Sequence, residues 1–173
     1  VQNDLFSLCV SVDEQVRNYL DFSDAYFDED SYLASVNVAH NLASLYFRSF
    51  NEKFVEEIRS YAINYFRKIL SNLGWEPRKS DKHTDALLRS FTISVLGKMN
   101  DDSVTDVAIE KYKKFLKSPR SLSPDLIEPI CSIAAWNGNS KTFNELKKLY
   151  TNSKTMEEKL RFLGAMCGFQ DKK

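Results

Sequence analysis

Apolar residues recur at helical spacing along almost the whole of this 173-residue chain. The run through Ile58, Ala62, Tyr65 and Ile69 is typical, because residues three or four positions apart share one face of a helix. The five glycines and four prolines lie at or near the boundaries of such runs. They do not form the two-residue turns that join β-hairpins. The pattern therefore predicts an all-α protein.

Local signals place the ends of these helices. Gly74 stands where a helix stops in the left-handed conformation, and Ser123 precedes Pro124 at a predicted helix start. Ser11 and Glu14 have the spacing of a capping box. Asn51 is predicted to cap the helix that follows it. The predicted helices cover residues 12–22, 30–50, 52–73, 83–99, 101–117, 124–137, 142–150 and 154–168.

The second half of the sequence is repetitive. Helix pairs begin near Lys82 and near Pro124, at roughly the 40-residue period of HEAT and armadillo repeats. We therefore expect an α-solenoid of HEAT/armadillo-like antiparallel helix pairs, in which neighbouring pairs bury each other's apolar faces. We predict a single helical domain over residues 1–173. Its first helices cover 1–74, a polar connector covers 75–81, and helix pairs cover 82–173.

The last predicted helix carries Met156, Leu160, Leu163 and Cys167 in register. A third helix pair begins there, but its second helix is missing. Because a lone helix cannot bury its apolar face, we expect the chain to be a fragment of a longer protein. The missing part would cover the apolar surface left at this end.

Charge and composition narrow the classes of partner. The chain has 24 basic and 24 acidic residues and a formal net charge of zero. Nucleic-acid binders usually carry a basic excess, because neutralising phosphates drives their affinity. No apolar run approaches the ~20 residues that span a membrane. We therefore predict that neither a nucleic acid nor a membrane is a partner.

The three cysteines are far apart in sequence. Cys9, Cys131 and Cys167 lie in apolar surroundings and have neither metal-binding spacing nor a disulfide framework. We expect three buried thiols in a reducing compartment, which favours a cytoplasmic protein.

The sequence lacks the motifs of common catalytic sites. A zinc site needs three protein ligands, whereas the two histidines, His40 and His83, are isolated and no His-Glu-x-x-His is present. Phosphate-binding and dinucleotide-binding glycine motifs are also absent. We predict that the chain has no catalytic residues, no metal ligands and no cofactor of its own.

One group of motifs resembles a known family. The segment Leu73-Gly74-Trp75-Glu76-Pro77, followed by Asp81 and Leu87-Leu88-Arg89-Ser90, resembles the C-terminal helical domain of zinc aminopeptidases. These are the aminopeptidase N, puromycin-sensitive aminopeptidase and tricorn-interacting factor enzymes, and the short loops are most similar to those of archaeal members. Weaker similarities follow in the same order along the chain: Asn3-Asp4-x-Phe6-x-Leu8, Tyr19-Leu20, Phe115-Leu116, Leu122-x-Pro124-Asp125-Leu126 and Glu158-Lys159-x-Arg161-x-Leu163-x-Ala165.

The resemblance implies a role for the chain. Enzymes of this family hold zinc in a separate catalytic domain and remove N-terminal residues from peptides. Their helical domain closes over that catalytic domain, limits access by size and contacts the peptide. By position, Glu158, Arg161 and Gln170 would lie nearest the active-site mouth and bind substrate. The alternative is that these three are ordinary surface polar residues. Arg89 is expected to be a buried or half-buried ion-pair partner.

Two other functions are compatible with the repeat. A free-standing helical scaffold that binds a protein partner would show the same helix spacing, so only the motifs favour the aminopeptidase family. A nucleic-acid-binding solenoid is a weaker alternative, because the net charge is zero.

Overall fold

A computed structural model describes residues 2–11, 15–26 and 32–169, and every regular element in these ranges is helical. Short 3₁₀ helices cover Asp24–Tyr26 and Pro119–Ser121. The prediction of an all-α fold is confirmed. The α-helices are α1 Gln2–Val10, α2 Val16–Ser23, α3 Tyr32–Arg48, α4 Val55–Leu73, α5 His83–Lys98, α6 Asp102–Lys117, α7 Pro124–Trp136, α8 Ser140–Asn152 and α9 Met156–Cys167.

From α5 onward the predicted helix boundaries lie within two residues of the observed ones. Gly74 has the predicted left-handed conformation, with φ of +69°. Ser123 stands at the start of α7 as predicted, but its hydroxyl makes no capping hydrogen bond. α4 begins later than predicted, at Val55, because the preceding residues form successive turns. The capping box proposed for Ser11 involves Glu14, which lies outside the described residues.

The chain divides into two compact units, Val1–Leu73 and Gly74–Lys173. In the first unit, α3 packs against α4. Leu42 of α3 and Phe66 of α4 are fully buried. The hydroxyl of Tyr65 donates to the carbonyl oxygen of Ser35 at 3.3 Å and so ties α4 to α3. Of the predicted apolar stripe of α4, Ile58, Ala62 and Tyr65 are buried in this core, whereas Ile69 is only half-buried.

In the second unit, α7 is the central helix. It packs against α5, α6 and α9, and α8 packs against α9. Contacts of α5 with α6, and of α7 with both α5 and α9, are those of stacked helix pairs. The predicted helical repeat is therefore confirmed. The residues of α7 that are at most 1% exposed are Leu126, Ile130, Cys131, Ile133, Ala134 and Ala135.

Candidate functional site on the second unit

A shallow depression on the second unit has a volume of about 150 Å³. Helices α5, α7 and α9 contribute its walls. Arg161, one of the three residues predicted to bind substrate, lies at this depression. The lining residues are Ala86, Leu87, Ser90, Pro124, Asp125, Glu128 and Arg161.

Arg161 is held by a neighbour on its own helix. Its Nη2 lies 2.5 Å from Oε1 of Glu157, one turn earlier on α9. The Arg161 side chain is 26% exposed, whereas that of Glu157 is 75% exposed. Exposed ion pairs at this spacing contribute only about 0.3–0.5 kcal/mol. The guanidinium can therefore exchange Glu157 for a carboxylate or carbonyl oxygen of a ligand at little cost.

Asp125 and Glu128 give the depression its negative charge. Both carboxylates are exposed at the beginning of α7. Asp125 lies in the first turn, where the positive end of the helix dipole favours a carboxylate. The half-exposed side chain of Leu87 adds an apolar wall. The depression thus combines both signs of charge with an apolar surface, which are the features that a segment of peptide can contact.

Glu158 helps to form the N-terminal cap of α9. Its Oε2 accepts hydrogen bonds from the backbone N–H groups of Lys154, at 2.9 Å, and Thr155, at 3.4 Å. In return, the Thr155 hydroxyl accepts from the N–H of Glu158 at 3.2 Å. This is a capping box, and its Thr-x-x-Glu spacing is visible in the sequence. Gln170, the third predicted substrate-binding residue, lies outside the described residues.

The motif that carries the family resemblance forms a clamp around Arg89. This side chain is 1% exposed, its Nε donates to the carbonyl oxygen of Gly74 at 2.9 Å, and its Nη2 pairs with Asp81. The backbone N–H of Arg78 also donates to Asp81, at 2.9 Å. That N–H group, and then the guanidinium, hold the pKa of Asp81 below its ordinary value. The prediction that Arg89 is an ion-pair partner is confirmed.

Trp75 and Glu76, the two residues that follow Gly74 in the motif, contact Lys111 of α6. Nζ of Lys111 pairs with the carboxylate of Glu76 and lies 5.8 Å from the ring centroid of Trp75. A cation at this distance from an indole is attracted to the face of the ring. The connector is therefore attached to the helices of its own unit by charge and cation–π contacts. The sequence does not predict that Lys111 contacts Glu76, because the two residues lie 35 positions apart.

The cysteines differ in exposure. Cys9 and Cys131 are buried as predicted, and burial raises the pKa of the Cys131 thiol to about 12. The prediction was wrong for Cys167, which is exposed near the end of α9. The physical reason is that α9 turns a second apolar face outward, so that apolar neighbours in sequence do not imply burial.

The residues that could hold a metal do not gather in the described parts of the chain. Within residues 2–11, 15–26 and 32–169, no three side chains of the His, Cys, Asp or Glu type form such a group. His40 and His83 are both exposed. Among the same residues, no helix has the length and apolar character needed to cross a membrane.

Comparison with known proteins identifies the family. The sequence model of the ERAP1-like C-terminal domain matches residues 1–173. The chain therefore belongs to the ERAP1-like C-terminal domain family, as its motifs predicted.

Similar curated proteins are aminopeptidases from plants and yeasts. Aminopeptidase M1 of Arabidopsis thaliana is 23% identical over 99% of this chain and 20% of its own length. The alanine/arginine aminopeptidase of Saccharomyces cerevisiae is 21% identical over 98% of this chain and 20% of its own length. Aminopeptidase 2 of Candida albicans is 28% identical over 67% of this chain and 13% of its own length. The chain thus spans at most about a fifth of these relatives.

Proposed function

We propose that this chain is the C-terminal, substrate-enclosing domain of a zinc metalloaminopeptidase that removes N-terminal residues from peptides. The main support is the family match, which runs through residues 1–173. Because the match includes both compact units, we treat them as parts of one functional domain. The first helices over 1–74, the connector over 75–81 and the helix pairs over 82–173 would act together.

The proposed function assigns catalysis and substrate enclosure to different domains of the parent enzyme. The described residues do not provide a set of metal ligands, so we place zinc and the catalytic groups in another domain of the parent enzyme. This chain would contribute cavity closure, size selection and contact with the peptide. Its partners would be that catalytic domain and peptide substrates, in the cytoplasm.

Arg161 is the residue that we expect to contact the peptide most directly. It lies at a depression with two carboxylates, and its present partner Glu157 is exposed and replaceable. A guanidinium can bind a peptide carbonyl or carboxylate through charge-assisted hydrogen bonds. Glu158 and Gln170 follow as further candidates on α9 and after it, although Glu158 also caps the helix.

The gene provides the first test of this proposal. An in-frame His-Glu-x-x-His upstream of Val1 is expected in the parent, and a start codon directly before Val1 would contradict the proposal. The purified 173-residue chain, supplied with zinc and aminoacyl chromogenic substrates, should give no turnover. Hydrolysis that a chelator abolishes would refute the claim that this part is non-catalytic.

Kinetics of the parent enzyme test the role of Arg161. We expect Arg161→Gln to raise KM for peptides of several residues and to leave turnover of a single aminoacyl substrate unchanged, because the short substrate does not extend to this surface. Arg120→Gln, an exposed position outside the depression, is the matched control. An equal effect of both variants, or no effect on long peptides, would remove Arg161 from the site.

A further inference from the structure

Asn137 and Gly138 form the one Asn-Gly pair of the sequence. The pair joins α7 to α8, because Asn137 is the C-terminal cap residue of α7 and Gly138 leads directly to Asn139, which caps α8. In an Asn-Gly pair, the backbone nitrogen of the glycine can attack the side-chain amide carbon of the asparagine, since glycine has no Cβ to hinder the approach. The pair is therefore chemically reactive wherever its backbone can rotate.

Hydrogen bonds hold both reacting groups in the folded chain. Nδ2 of Asn137 and the backbone N–H of the same residue both donate to the carbonyl oxygen of Ile133, each at 3.1 Å. The bond from Nδ2 directs the side-chain amide back over the last turn of α7. The backbone N–H of Gly138, which carries the attacking nitrogen, donates to the carbonyl oxygen of Ala135 at 3.2 Å. Both groups thus contact α7 and are kept from reacting with each other.

The backbone at Gly138 is also closely packed. A Cβ atom placed there would lie 2.5 Å from the carbonyl oxygen of Ala134 and 2.7 Å from Cβ of Thr142. Asn137 and Gly138 are half-buried, and Ala134 and Ala135 before them are at most 1% exposed. The turn therefore cannot rotate into the geometry of attack unless the end of α7 opens locally.

We propose that Asn137-Gly138 is a site of spontaneous deamidation, which the native fold keeps closed and which opening of the end of α7 makes reactive. The nitrogen of Gly138 bonds to Cγ of Asn137, and Nδ2 leaves as ammonia with the proton of the Gly138 N–H. Water then opens the cyclic imide at either carbonyl, which leaves aspartate or isoaspartate at position 137. Water is the one co-reactant, and the inference does not depend on the proposed function.

Neither product fits the native turn. An ionised aspartate cannot donate to the carbonyl oxygen of Ile133, and it adds negative charge at the C-terminal end of α7, where the helix dipole is already negative. Isoaspartate adds one carbon atom to the backbone beside the close contacts of Gly138. Both products therefore favour the open turn. A chain that stays open at this turn is altered before it can close, so that its unfolding becomes irreversible with time.

Deamidation rates of the 173-residue chain test the proposal. The chain is incubated in mildly alkaline buffer with urea below and above its unfolding transition, and peptide mapping by mass spectrometry follows Asn137. Deamidation should be slower by at least about tenfold in the folded chain. A short peptide with the sequence of residues 134–141 measures the effect of urea itself, which should be small. Equal rates in the folded and unfolded chain would overturn the proposal.

A glycine variant tests the chemistry. Gly138→Ala is measured in unfolding urea, so that its fit in the native turn does not matter. Its Asn137 should deamidate at least about tenfold more slowly than that of the unfolded wild type, because a Cβ hinders the attacking nitrogen. An unchanged rate would exclude attack by the backbone of residue 138.

A third comparison tests the effect of the product on the fold. Asn137→Asp reproduces one product and should lower the melting temperature of the 173-residue chain, because it removes the donor to Ile133. Asn152→Asp is the matched control, since Asn152 also ends a helix but has an exposed side chain. Its effect should be clearly smaller. An equal loss in both variants would contradict the claim that deamidation of Asn137 keeps the turn open.

Discussion

The side chain of Ile133 in α7 lies directly over the backbone of Gly97 in α5. A Cβ atom at position 97 would lie 2.2 Å from Cγ1 of Ile133 and 2.5 Å from its Cδ1. Atoms in a close-packed interior do not approach so closely. The distance between the two helices therefore depends on a residue without a side chain.

Gly97→Ala should destabilise the chain even though alanine favours helix. The gain in helix propensity is at most about 1 kcal/mol, whereas overpacking a well-packed core costs about 1–3 kcal/mol. Because the clash at 2.2 Å is severe, we expect a net loss of about 1–2 kcal/mol in the free energy of unfolding. Urea denaturation of the 173-residue chain measures it.

Gly164→Ala is the matched control for that variant. The added methyl group meets no atom within 4 Å, so that only the helix propensity changes. The free energy of unfolding of the 173-residue chain should rise by up to about 1 kcal/mol. Stabilisation by both alanines would show that Ile133 does not restrict position 97.

Arg89→Met tests the clamp of the connector. The substitution removes the donor to the Gly74 carbonyl and the partner of Asp81. Leaving a largely buried polar group without its donor costs about 1–3 kcal/mol, and we expect a loss of that size in urea denaturation. Arg17→Met, in an exposed ion pair with Asp21, should change stability by less than about 0.5 kcal/mol. Equal losses would contradict a special role of Arg89.

The lowered pKa of Asp81 predicts a pH dependence. Because the pKa is lower in the folded than in the unfolded state, ionised Asp81 stabilises the fold above its ordinary value of 3.8. This contribution is lost as the pH falls through the folded-state pKa. Wild type should therefore exceed Asp81→Asn in stability at neutral pH, and the difference should shrink in urea titrations below about pH 4. Asp106→Asn, which removes an exposed carboxylate of α6 outside this clamp, is the matched control.

Two roles of Glu158, capping α9 and contacting substrate, can be tested separately. Thr155→Ala removes the side chain that accepts from the N–H of Glu158 and should cost about 1 kcal/mol. Hydrogen exchange should show the loss over Met156–Cys167. Glu158→Gln retains a side-chain oxygen for the cap and should be nearly neutral for stability. If peptide KM of the parent then rises with Glu158→Gln, the carboxylate contacts substrate; an unchanged KM leaves Glu158 as a cap alone.

Local sequence patterns predict some features of this fold and not others. The left-handed Gly74 and the proline-bounded start of α7 depend on a few adjacent residues, so the sequence predicts them directly. The pairing of Glu76 with Lys111 joins residues 35 positions apart. Such a contact depends on how two helices meet, and spacing along the chain carries no signal for it.

The candidate site was likewise predictable only in part from the sequence. Position in the family resemblance selected Arg161 and Glu158, but nothing in the sequence linked Arg161 to Asp125 and Glu128. These three side chains share a depression only because α7 packs against α9.

The sequence by itself determined that the chain is helical, where most helices begin and end, and which family it resembles. These features follow from the 3.6-residue period and from capping and turn residues, all of which act locally. Only the tertiary structure decided which apolar face of α9 is buried. The predicted stripe through Met156 and Leu160 faces outward, whereas Phe162 and Ala165 face the core. Periodicity finds an apolar face, but the choice between two of them depends on the neighbouring helices present to cover it.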